Sequence, residues 1–129
     1  MGGLKLSAIE LSDPQGKELR RHPGTHPEIM QGVIRHWQFP AKLNEFKAHF
    51  NMHRQLSLTI YCRAGKHRSI SFTLAIEHIL KTEFNLQPEI EYRGSWWVGR
   101  ECLRGHCTAC SPQARSSILA EALAIWRSL

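Results

Sequence analysis

The residues Cys62-Arg63-Ala64-Gly65-Lys66-His67-Arg68-Ser69 bring a thiol, a hydroxyl, an imidazole and three cationic side chains into one short run. Ala64 and Gly65 allow a tight backbone turn, so successive N–H groups can point into one concavity. Residues 69–81 have helical length and spacing. A helix starting there adds unpaired N-terminal N–H groups and the positive end of its dipole. Lys66 supplies a point charge, Arg68 a guanidinium fork for phosphate oxygens, and Ser69 a donor that can also hold the loop. The spacing predicts a loop that binds phosphate or a similar anion. It is not a Walker A loop, because the glycine spacing before Lys66 is absent.

The same surroundings favour the thiolate of Cys62. Cys62 and Arg68, with five residues between them and Ser69 following, resemble the Cys-x5-Arg signature of cysteine-dependent phosphatases. In those enzymes the cysteine attacks phosphorus and the arginine binds the equatorial oxygens. Such an enzyme also needs a general acid for the leaving oxygen. Asp13 is the only aspartate. It lies in the turn Asp13-Pro14-Gln15-Gly16, and Glu18 is the next candidate. Neither sits on an evident mobile loop, which ranks binding above hydrolysis. The plain alternative for Cys62 is a small apolar residue at a strand end.

The loop is more closely similar to the C-terminal domain of RapZ, the bacterial RNase adapter protein, where it has the form Cys-Thr-Gly-Gly-Lys-His-Arg-Ser. Cys62, Gly65, Lys66, His67, Arg68 and Ser69 match that form; Arg63 and Ala64 depart from it. Upstream, Asp13-Pro14, Leu19-Arg20 and Gly24 resemble the Asn-Pro, Leu-Arg and Thr-Gly stretch of that family, with Pro23 in place of the threonine. The likeness spans residues 4–93. It implies binding rather than turnover, since that domain senses an amino-sugar phosphate and binds small RNA. It also draws His67 into the site. RNA contacts in that family rely partly on a basic C-terminal tail, where this chain has a cysteine-rich segment and a helix.

Cys102, Cys107 and Cys110 form a second cluster. Three thiolates and one histidine make a tetrahedral zinc site. His106 is adjacent in sequence, and His22, His26 or His78 could come from elsewhere. A Cys107/Cys110 redox pair and a simple packed turn of reduced cysteines are the alternatives. No apolar leader is evident, so a disulfide framework is not expected, and a cytoplasmic or otherwise intracellular setting is. No apolar run reaches the length of a membrane span.

These groups need elements to position them. Leu4, Leu6 and Ala8 predict a first strand ending at the Asp13 turn. Pro27 opens a helix with Ile29, Met30, Val33, Ile34 and Trp37 on its apolar stripe, and a second helix with Leu43, Phe46 and Phe50 follows Pro40. Leu56, Leu58 and Ile60 alternate with Ser57, Thr59 and Tyr61, which reads as a buried central strand running into Cys62. A further strand is expected over residues 88–93. Ser111-Pro112 marks the start of a last helix carrying Ile118, Leu119, Ala122, Leu123 and Trp126. Of the tryptophans, Trp37 and Trp126 read as core, and the Trp96-Trp97 pair is the candidate for base stacking.

The expected fold is a three-layer α/β domain with a small, mostly parallel sheet. The phosphate-binding loop joins a central strand to a helix, and an extra helix closes the chain. Residues 1–129 form one domain, with 95–129 a cysteine-rich segment plus that helix. The hydrophobic share of 42% supports a real core, and the net charge of +6 favours anionic partners. The leading expectation is a non-catalytic domain that recognises a phosphosugar, a nucleotide or an RNA backbone. A Cys62-dependent phosphatase is the runner-up. A protein-interaction module with a vestigial loop is a third reading.

Overall fold

Strand β1, Gly3–Ser7, lies parallel to β2, Ser57–Tyr61, in a two-stranded sheet. Leu4 stands opposite Leu58 and Leu6 opposite Ile60. Side chains alternate across a strand, so these four share the face that meets the core. A computed structural model describes residues 3–63, 65–92 and 107–129. Parallel strands need a long crossover. Here it contains α1, Lys17–Arg20, α2, Pro27–Ile34, and α3, Phe39–Met52. After β2 the chain enters α4, Arg68–Phe84. Two short 3-10 turns, Thr108–Cys110 and Pro112–Arg115, lead into α5, Ser116–Ser128. The protein is a small α/β domain. Among the described residues no helix is long and apolar enough to cross a membrane.

Local chemistry explains the helix limits. α2 has Pro27 at its first position, and His26 caps it: Nδ1 accepts the Glu28 N–H at 3.1 Å. Proline lacks the N–H that would otherwise need a partner there. α4 ends at Asn85, whose left-handed φ of 53° allows the Leu86 and Asn85 N–H groups to close on Leu80 and Lys81 carbonyls. The helices bury Met30, Val33, Ile34, Leu43, Ile70, Ile76, Ile79 and Ala122 with the sheet residues in one core. At one part of that core the Phe46, Phe50, Phe84 and Trp126 rings pack with centroids 5.1 to 6.1 Å apart. Each buried side chain of Phe size contributes about 1.5–3 kcal/mol.

Three expectations need correction. The strand expected over 88–93 is not formed across Pro88–Tyr92, and Arg93 lies outside the described residues. β2 is not a buried central strand: Ser57, Thr59 and Tyr61 are exposed, as are Gly3 and Lys5 beside them. Its alternation is that of a strand with one covered face, and among the described residues its other face is exposed. Trp37 is 80% exposed. α2 stops at Ile34, so the helical spacing that would align Trp37 with Val33 no longer applies. Trp126 is buried as expected, and Trp96 and Trp97 lie outside the described residues.

Candidate anion-binding loop and metal cluster

β1 and β2 end side by side, and the Tyr61 carbonyl accepts the Ala8 N–H at 2.8 Å just before the loop begins. Ligands of parallel sheets gather at such carboxyl ends. Gly65 turns the loop with φ 64°, a conformation open to glycine. His67 stands at the N-cap of α4 and makes no side-chain capping hydrogen bond. Lys66, His67, Arg68 and Ser69 are all buried, and with Ser71 they make up the buried polar and charged residues among those described. Such groups are costly to bury unless partnered, so their partners define the site.

Arg68 is 9% exposed. Its Nη1 donates to the Ile9 carbonyl at 2.5 Å, and its Nε lies 3.8 Å from Asp13 Oδ1 without a hydrogen bond. The guanidinium is therefore turned partly onto the end of β1 and the Asp13 turn. His67 Nε2 is 3.0 Å from the Arg20 carbonyl, and its Nδ1 is 3.6 Å from Asp13 Oδ1. A carbonyl only accepts, so Nε2 carries a proton. Burial lowers the pKa of His67, and the Lys66 charge adds to this. The Arg20 carbonyl, Asp13 and the His22 backbone oppose it without reversing it. The ring is the neutral Nε2–H tautomer at neutral pH. Arg20 Nη2 reaches the other Asp13 oxygen at 3.4 Å. The fold thus brings the only aspartate to the loop, as a counter-ion shared by Arg20 and Arg68 beside the neutral His67 ring.

Cys62 Sγ lies 3.2 Å from Ser69 Oγ, and the Ser69 N–H donates to the sulfur at 3.4 Å. The thiol can donate to the hydroxyl; in the thiolate state the hydroxyl donates back. Burial raises the pKa of Cys62. The Ser69 hydroxyl, the N–H groups of Ser69 and Gly65 and the Arg68 charge together outweigh it, so the net shift is downward. The loop therefore stabilises negative charge at the sulfur.

A short segment clamps the loop from the side. The Gly24 N–H donates to the Lys66 carbonyl at 2.7 Å, and Ser71 Oγ donates to the Gly24 carbonyl at 2.7 Å. A Cβ on Gly24 would sit 2.1 Å from the His67 carbonyl oxygen and 2.8 Å from the Ser71 nitrogen. Only glycine allows this approach.

The same segment carries His22, whose Nδ1 lies 3.4 Å from Cys110 Sγ and 3.7 Å from Cys107 Sγ. The three ligand atoms lie within 4.8 Å of one another and could hold a metal ion. His22 is the candidate histidine that the fold selects. His26 instead caps α2 and packs its ring against that of His22, with centroids 4.3 Å apart. Cys102 and His106 lie outside the described residues, as does Ala64 of the loop.

Sequence reading named the loop, Asp13 and His22, but not the Ile9 carbonyl under Arg68 or the Arg20 carbonyl under His67. Backbone acceptors carry no side-chain signature, so no residue type could have announced them. Gly24 beside Pro23 was the available sign of the clamp. No family model, curated protein or solved structure matches the chain.

Proposed function

We propose that the protein is a non-catalytic binding domain for a phosphorylated small molecule or an RNA backbone, held at the Cys62–Ser69 loop. The observation that carries this reading is the pairing of Asp13 with Arg68, with His67 and buried Lys66 beside it. A phosphatase would need Asp13 protonated to act as the acid, and a proton there would remove the negative partner of Arg68. As a counter-ion, Asp13 instead holds the cationic loop in place until an anion arrives. The likeness to the RapZ C-terminal domain points to an amino-sugar phosphate or small RNA as the ligand class. The group His22, Cys107 and Cys110 is assigned to zinc on the softness of its ligands.

One observation favours the second reading, a phosphatase: the lowered pKa of Cys62 beside Ser69. Binding and turnover separate the two. Isothermal titration of wild type and Cys62→Ser with sugar phosphates, nucleotides and short RNA should show retained binding. Assays for phosphate release between about pH 5 and 7, where a thiolate and a protonated acid can coexist, should be silent. Turnover that disappears in Cys62→Ser and falls in Asp13→Asn would replace the binding reading with the enzyme reading.

A further inference from the structure

The metal cluster and the anion loop meet on one stretch of five residues. Arg20 gives its carbonyl to His67 Nε2. Gly24 gives its N–H to Lys66 and takes the Ser71 hydroxyl. Between them stands His22, the imidazole that faces Cys107 and Cys110. Zinc bonds of about 2.0–2.3 Å in a tetrahedron place neighbouring ligand atoms about 3.5 Å apart. The separations of 3.4 and 3.7 Å from His22 Nδ1 to the two sulfurs agree with that edge.

We propose that zinc at His22, Cys107 and Cys110 is a structural clip that positions the anion loop, by fastening the Arg20–Gly24 segment to the chain leading into α5. The inference rests on the zinc assignment above. Binding joins Zn²⁺ to two thiolate sulfurs and one imidazole nitrogen and releases the two thiol protons; no oxidant or reductant takes part. The ion crosslinks two segments remote in sequence, His22 and the Cys107–Cys110 turn. α1 spans only Lys17–Arg20 and buries none of its residues, so it offers little resistance to movement. His22 is a positioning residue here, two positions from each of the loop's two main supports, Arg20 and Gly24.

The test uses the full chain, purified without a metal-binding tag. Zinc content is measured first by mass spectrometry of the element, and one equivalent is expected. Amide hydrogen exchange is then followed with zinc bound, after removal by a chelator, and after zinc is returned. Exchange at the Gly24 and Ser71 amides should rise by about tenfold or more without zinc and recover with it, while amides of α5 beyond its first turn stay protected. The loss of affinity for inorganic phosphate should follow the same cycle. Cys110→Ser, which lies outside the loop and the clamp, should reproduce the zinc-free state. Exchange at Gly24 and Ser71 that ignores a bound and removable equivalent of zinc would overturn the clip and leave the zinc assignment standing. A zinc content near zero in reduced protein would overturn both. Because the amide readout needs no anion, failure of phosphate to bind would strike the anion reading and leave the clip decided by exchange.

Discussion

Asp13 Oδ1 and Arg68 Nε lie 3.8 Å apart, joining the turn after β1 to the first residue of α4. The pair decides how the loop is understood. Arg68 is buried, its Nη1 is held by Ile9, and the Asp13 carboxylate lies beside its Nε. An incoming phosphate would compete with Asp13 for the guanidinium and could take over its role as counter-ion. Loop binding would then exchange one anion for another instead of creating charge pairing anew.

Asp13→Asn tests that exchange. Removing the competing charge should leave inorganic phosphate bound as well as in wild type, or up to about fivefold tighter, because a partly exposed ion pair is worth about 1 kcal/mol or less. Titration calorimetry reads the change. Loss of binding in Asp13→Asn would show that the carboxylate supports the bound state instead of competing with it.

Arg68→Ala removes the ligand's main cation, leaves the Ile9 carbonyl without its donor and takes from Asp13 one of its two cations. It should abolish phosphate binding and destabilise the domain by about 1–3 kcal/mol in urea unfolding. Arg68→Lys keeps a charge and should fold, but one ammonium cannot reproduce the guanidinium fork, so binding should not return. Wild-type affinity in either variant would remove Arg68 from the site.

The thiol of Cys62 should react with iodoacetamide along a pH profile whose midpoint lies below that of the same cysteine in the unfolded chain. Ser69→Ala removes the hydroxyl but keeps the N–H donor, so it should move the midpoint back up. The sign for stability follows from the same shift: the folded pKa lies below the unfolded value of about 9. The contribution is therefore complete above that unfolded value and fades as pH falls through the folded one. Cys62→Ser should flatten stability across that window. A wild-type midpoint at or above the unfolded value would contradict the stabilised thiolate.

Gly24→Ala should destabilise the protein by about 1–3 kcal/mol or more, as overpacking against immovable atoms does. The atoms met are the His67 carbonyl oxygen and the Ser71 nitrogen, both backbone. Thermal unfolding checks the loss. Tolerance of alanine without loss would mean that the clamp does not hold the loop.

How much of this was legible depends on what carried the signal. The α4 helix, the Pro27 helix start and the two strands β1 and β2 are written in local spacing, and the structure has them. The burial of β2 was overread because alternation fixes which side chains share a face, not whether anything covers the second one. Trp37 was misplaced because helix termination at Ile34 has no proline or glycine to mark it. The loop was visible as a cluster of residue types. Its partners were not, because Ile9 and Arg20 act through carbonyls that every residue possesses. The choice of His22 over His26 and His78 came from the tertiary path of the crossover, which no spacing rule specifies.

The most direct test is titration of ¹⁵N-labelled protein with inorganic phosphate, following backbone amides by NMR. The account predicts saturable shifts at Gly65, Lys66, His67, Arg68 and Ser69 that share one dissociation constant and vanish in Arg68→Lys. Shifts confined to other surfaces, or none at the loop when phosphate is in large excess, would contradict it.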